Sequence, residues 1–177
     1  MNSRTEEALS PLQGSAAQFS GKYLTFRLGS EEYGIEIMKV QEIIGLLPIN
    51  ELPMVPHYVR GFINLRRRVI ATIDLRVKFG FEPVPDTERT CIIVVEVGDR
   101  GHEKNVGLVV EEVAEVLTIH ENQVEATPTF GGSLDTRFIR AIGLVDAKVK
   151  ILLDIDQVLT TEELGKLPSS KLESPSN

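Results

Sequence analysis

Six basic side chains, Arg60, Arg66, Arg67, Arg68, Arg76 and Lys78, fall within 19 residues that contain a single acid, Asp74. Guanidinium groups fork onto carboxylates and are enriched at the energetic centres of protein interfaces. The chemistry on offer is therefore recognition of an acidic partner. A nucleic acid is the alternative ligand for such a stretch, as in a β-barrel that binds through an arginine hairpin. Single strands, however, call for interleaved aromatic rings on which bases can stack, and only Phe62 and Phe79 lie nearby.

Catalysis has less to stand on. His57, His102 and His120 have no metal-ligand spacing to one another or to Cys91. Phe130-Gly131-Gly132-Ser133 lacks the strand-loop-helix setting and the lysine of a phosphate-binding loop. No G-x-S-x-G elbow occurs. Cys91, beside Ile92 and Ile93, reads as a structural thiol buried in a strand, since reactivity needs an electropositive, exposed setting. The expectation is a non-enzyme with no catalytic residue, cofactor or metal site.

The elements that position the arginines follow from the apolar pattern. Phe62 to Leu65 and Val69 to Leu75 are short runs rich in Ile, Val and Thr on either side of Arg66-Arg67-Arg68, the mark of paired strands. Burying three unpaired charges would cost several kcal/mol each, so the triplet belongs at a solvent-facing turn. Upstream, Lys22 to Leu28 and Tyr33 to Ile37 read as strands around Gly29-Ser30-Glu31-Glu32. Met38 to Ile44 fits either a bent strand or a helical turn followed by a strand. Pro48, Pro53 and Pro56 make the next stretch an irregular crossing with Ile49 as a pairing residue. Val77 to Gly80 suits a short helical turn. Downstream, Thr90 to Val97, Val106 onward through Val113, Val116 and Ile119, Phe138 to Val145 and Val149 to Ile155 read as strands. Gln157 to Leu164 suits a short helix with Thr160 and Glu163 at capping-box spacing.

The two halves repeat this order. Tyr33-Gly34-Ile35 and Val40-Gln41-Glu42-Ile43 match Val106-Gly107-Leu108 and Val113-Ala114-Glu115-Val116. Val59-Arg60 and Ile73-Asp74-Leu75 match Ile139-Arg140 and Leu153-Asp154-Ile155. About five short strands per half suits a small barrel, and each half alone would bury little core. The expected fold is mostly β: two packed five-stranded SH3-like β-barrel subdomains with a few short helices. The repeats span roughly 23–80 and 90–158 within a 21–164 domain, between flexible tails at 1–20 and 165–177. The recurrence of Asp74 and Asp154 favours carboxylates that bond the backbone where a strand turns into a helix. The arginine triplet occurs in one copy only, so the barrel itself does not require it.

Composition bounds the partners. The 177 residues are 42% hydrophobic and carry a net charge of -7, whereas a duplex-binding domain is usually basic. No window has the ~18 apolar residues of a spanning helix, and Met1 to Glu7 lacks the pattern of a signal peptide. A cytoplasmic chain is expected.

Tyr33-Gly34-Ile35-Glu36-Ile37, Val40-Gln41-Glu42-Ile43 and the block Val59-Arg60-Gly61-Phe62-Ile63-Asn64-Leu65-Arg66 leading to Ile73-Asp74-Leu75-Arg76 resemble the CheW-like adaptor family of bacterial chemotaxis. Val106 to Val110 and Ile151 to Ile155 add to the match, which runs from about Tyr23 to Leu164. The resemblance implies two SH3-like barrels and a signal-transduction adaptor, recruited to membrane receptor arrays and monomeric on its own. Its implied partners are the regulatory domain of the histidine kinase CheA and the cytoplasmic tip of a chemoreceptor. The implied receptor contacts are Val40, Gly61, Asn64, Arg66, Gly107 and Val113, and the implied kinase contacts Glu42, Ile43, Ile44, Phe130 and Leu167. Arg67 stands where the family usually has Gly. At a hairpin turn that needs φ > 0, an arginine must accept strain or change the turn.

Overall fold

The computed structural model describes residues 16–125 and 137–167. Eleven strands form two sheets: β1 (Gly21–Leu28), β2 (Glu31–Glu36), β3 (Val40–Gly45), β4 (Val59–Leu65), β5 (Arg68–Asp74), β6 (Cys91–Val97), β7 (Lys104–Val110), β8 (Glu112–Ile119), β9 (Val124–Glu125), β10 (Ile139–Val145) and β11 (Lys148–Leu153). Short helices come after β5, α1 (Leu75–Lys78), and after β11, α2 (Ile155–Val158) and then α3 (Thr161–Gly165). One sheet runs β8-β1-β2-β11-β10-β9 and the other β3-β6-β7-β5-β4. The protein is mostly β, in two packed subdomains of six and five strands.

The sheets do not coincide with the repeats. The first two strands of each half join the later strands of the other, β1 and β2 with the last four and β6 and β7 with the last three: β1 pairs with β8 and β2 with β11, while β6 pairs with β3 and β7 with β5. The two exchanges mirror each other, and each creates one parallel pairing, β2 with β11 and β5 with β7. Among the described residues neither sheet closes through strand pairing, because β3 and β4 remain the edges of the five-stranded sheet. The crossing after β3 covers part of that gap, where Asn50 bridges Phe62 of β4. The residue that pairs is Asn50 rather than Ile49, whose side chain packs inward.

Three apolar clusters explain the strand sequences. The main core lies between the sheets, with Phe26, Tyr33 and Ile35 facing Ile73, Ile93, Val95 and Leu108. Ile63, Ile70, Ile92, Val94 and Val109 fill the curl of the five-stranded sheet, and Tyr23, Ile119, Ala141 and Leu152 that of the other. The apolar run Ile92 to Val95 of β6 follows, because its alternate residues enter two different clusters and both faces are covered there.

Local signals behave as their chemistry requires. Met38 to Ile44 is a 3-10 turn at Ile37–Lys39 followed by β3. Asp74 accepts from Val77 N and Asp154 from Asp156 N at the starts of α1 and α2. Thr160 and Glu163 form the capping box of α3. Two described segments fall within the stretches expected as tails. Residues 16–19 make a helical turn whose Phe19 packs on the third cluster, and Leu164 and Leu167 enter the main core. Cys91 is half-buried rather than buried, with its thiol donating to Arg89 O.

Candidate protein-interaction site

The arginine turn closes the β4–β5 hairpin. Leu65 pairs with Arg68, leaving Arg66 and Arg67 as a two-residue loop with φ of 53° and 68°. Both φ values are positive, as in the hairpin turns whose twist matches paired strands and which favour Asn-Gly. Each L-residue held there costs on the order of 1 kcal/mol. The expected tension at Arg67 is thus real, and the chain keeps the turn and accepts the strain. Asn64 Oδ1 offsets part of it by accepting from Arg67 N at 3.1 Å. In the second half Asp146 and Ala147 adopt the same turn, with φ of 54° and 64°.

Arg66 reaches across the open edge of its sheet. Its guanidinium forks onto Glu42 of β3, donating to Oε1 at 2.8 Å and to Oε2 at 2.7 Å. This geometry joins a residue implied to touch the receptor with one implied to face the kinase, and it clasps the two unpaired edge strands. The Arg66 side chain is 72% exposed, so the pair contributes at most about 1 kcal/mol and its bonds can be exchanged for a partner's.

The other implied contacts divide by burial. Asn64 and Ile43 are exposed, Ile43 at 44%, and with Glu42 and Arg66 they form one accessible strip on the five-stranded sheet. Ile44 turns inward onto the cluster inside that sheet. Val40 and Val113, at matching places on edge strands β3 and β8, are partly buried against the inter-sheet core. Gly61 and Gly107 are buried. Gly61 lies at the register shift of β4 with φ of 144° and Asn50 O directly against it, and Gly107 is packed between Ile92 and Thr72. Leu167, implied as a kinase contact, is 7% exposed and part of the main core, so its side chain presents no surface. Phe130 lies outside the described residues.

Most of the remaining basic side chains hold the fold together. Arg60 forks onto Asp86 with both bonds at 2.9 Å. Arg76 donates to Glu111 at 2.9 Å and also to Glu82 O. Lys78 donates to Glu163 at 2.7 Å and stands 4.4 Å from the centre of the Tyr58 ring. The Tyr58 hydroxyl donates to the same Glu163 oxygen at 2.7 Å. Burial opposes ionisation of Glu163, but Lys78, the Thr160 N–H and the Tyr58 hydroxyl outweigh it and hold the carboxyl at about 2. Burial first, and the adjacent Glu163 second, push the Tyr58 phenol well above its usual range. Sequence reasoning missed this cluster, because Tyr58, Lys78 and Glu163 share no spacing signal.

Among the described residues no three His, Cys, Asp or Glu side chains come together as metal ligands. His120 caps the 3-10 turn at Glu121–Gln123, and His57 packs edge-on against Tyr58. The concavity beside His102 is lined by Asp99, Lys104 and Asp156. Two of these serve the fold, Lys104 by donating to Leu164 O and Asp156 by pairing with Lys39.

Comparison with known proteins identifies the family to which this fold belongs. A family model described as a CheW-like domain matches residues 22–163. A chemotaxis protein CheW from Klebsiella aerogenes is 38% identical over 144 residues, covering 81% of this chain and 84% of that protein. A probable chemotaxis protein CheW from Rhizobium etli is 34% identical over 149 residues, covering 84% and 94%. The crystal structure of the scaffolding protein TtCheW from Thermoanaerobacter tengcongensis superposes with a TM-score of 0.72 at 30% identity, covering 87% of this chain and 99% of that one. With residues 22–163 matched by the family model and a relative 38% identical over 81% of the chain, this protein belongs to the CheW-like family of chemotaxis scaffold proteins.

Proposed function

We propose that this chain is a non-catalytic adaptor that binds the regulatory domain of the chemotaxis histidine kinase and the cytoplasmic tip of a chemoreceptor at the same time. The observation that carries the reading is the exposed strip on the five-stranded sheet, where Asn64 and Arg66 of the hairpin meet Glu42 and Ile43 of the edge strand. The groups this reading assigns to the receptor and to the kinase are contiguous there, as suits a coupling protein. An apolar Ile43 beside a charged, exchangeable clasp offers both burial and polar register to a partner. Nucleic-acid binding finds less support, since Arg60, Arg66, Arg76 and Lys78 already hold carboxylates of this chain.

The test is co-sedimentation of the full chain with a purified chemoreceptor cytoplasmic fragment and the isolated kinase regulatory domain. The expected result is one complex containing all three. Arg66→Ala should weaken receptor capture by about tenfold, the effect of losing a charged contact of 1–2 kcal/mol, with a smaller change in kinase binding and an unaltered fold. Failure of the unaltered chain to bind either protein would reject the adaptor reading.

A further inference from the structure

Of the six basic side chains between Arg60 and Lys78, Arg60, Arg66, Arg76 and Lys78 each hold a carboxylate of this chain. Arg67 and Arg68 are different. Both are exposed at the hairpin tip, and neither has an ion pair or a side-chain hydrogen bond among the described residues. On a protein of net charge -7 they form a local patch of opposite sign.

The fold does not ask for them. The second hairpin follows the same course of buried and exposed positions from Ala141 to Lys148 as the first does from Gly61 to Arg68. It makes the same left-handed turn with Asp146-Ala147-Lys148, whose formal charges cancel. Ala147 at φ 64° is the counterpart of Arg67 at φ 68°. Two long cations side by side at a strained turn repel each other and hold nothing in place. Unpaired arginines differ from unpaired lysines in offering a planar fork that matches a carboxylate.

We propose that Arg67 and Arg68 are a docking contact for carboxylates on the receptor's cytoplasmic tip. They lie beside Asn64 and supply the free positive charge that Arg66, clasped to Glu42, does not. The proposal rests on the adaptor reading and adds the chemical character of the receptor face that meets this hairpin: it is acidic. Exposed charges of this kind act mainly on encounter rate and salt dependence.

The test is titration of the full chain with a purified chemoreceptor cytoplasmic fragment at about 50 mM and about 500 mM salt, where the screening length falls from roughly 14 Å to roughly 4 Å. The doubly reversed chain, Arg67→Glu with Arg68→Glu, should bind about tenfold more weakly at low salt and converge on the unaltered chain at high salt. Arg67→Gly should raise the thermal midpoint, because glycine relaxes at positive φ, and yet weaken binding several-fold. A merely structural arginine cannot give opposite signs in those two readouts. Binding of the reversed chain within twofold of the unaltered one at both salts overturns the proposal. If the unaltered chain does not bind the fragment at all, the adaptor reading fails first and this proposal falls with it.

Discussion

A Cβ placed on Gly61 would stand 2.1 Å from Asn50 O, and one placed on Gly107 would stand 2.8 Å from Ile92 Cγ2. Backbone cannot yield to a methyl group, whereas a side chain can shift. Gly61→Ala, which also forces an L-residue to φ 144°, should therefore cost more than Gly107→Ala, for which about 1–3 kcal/mol of overpacking is expected. Urea unfolding of the two variants measures this order. If both glycines act through the fold rather than as contacts, the folded fraction of each variant should bind a receptor fragment normally, and only the amount folded should drop. At this scale the sequence was half legible. Asn64 and Arg66 are exposed, and for Arg66 that followed from the cost of burying a charge at the turn. The close approaches at Gly61 and Gly107 come from residues distant in the chain, which no local pattern records. Glu42 was singled out without its partner for the same reason, since an ion pair across two sheet edges has no spacing rule.

Helix α3 is only five residues long, too short to persist on propensity, and its attachment depends on what holds it down. Leu164 and Leu167 anchor it in the main core, Lys104 takes up its terminal carbonyls, and Glu163 ties its first turn to Lys78 and Tyr58. Glu163 is the titratable member, with its carboxyl lowered from 4.5 to about 2. A depressed carboxylate contributes stability that is complete above its unfolded value and fades as pH falls toward its folded value. Protection of the 160–167 amides against hydrogen exchange should accordingly hold at neutral pH and weaken between pH 4.5 and about 2. In Glu163→Gln that pH dependence should be flattened. Equal loss of protection in both chains would show that the anchoring is apolar alone. The capping box was legible from the spacing of Thr160 and Glu163, because capping is local. The second role of Glu163 was not, because Lys78 and Tyr58 reach it from the other half of the molecule.

Across the whole molecule, the duplication was visible in the sequence and the exchange of strands was not. Each strand carries the same alternation whichever half it pairs with, so pattern alone leaves the partner open. The exchange makes the repeats interdependent. Fragments 16–89 and 90–167, expressed separately, should each lack a cooperative thermal transition, while the full chain unfolds in one step through its shared inter-sheet core. A cooperative transition in either fragment would mean that a half can pair its own strands.

The same exchange sets an order in time. All five strands of the sheet bearing the arginine hairpin lie between Val40 and Val110 without interruption, so a chain growing from its N-terminus has the whole sheet in hand once Val110 is made. The β1–β2 hairpin is synthesised before that sheet and completed after it: β1 must await β8, and β2 must await β11. Contacts of such long sequence separation form slowly. Until they do, Phe26, Tyr33 and Ile35, all buried in the finished protein, have only the five-stranded sheet to pack against. The surface proposed to meet partners thus lies on the sheet that can be finished first, and a segment made before that sheet is the one that seals the core.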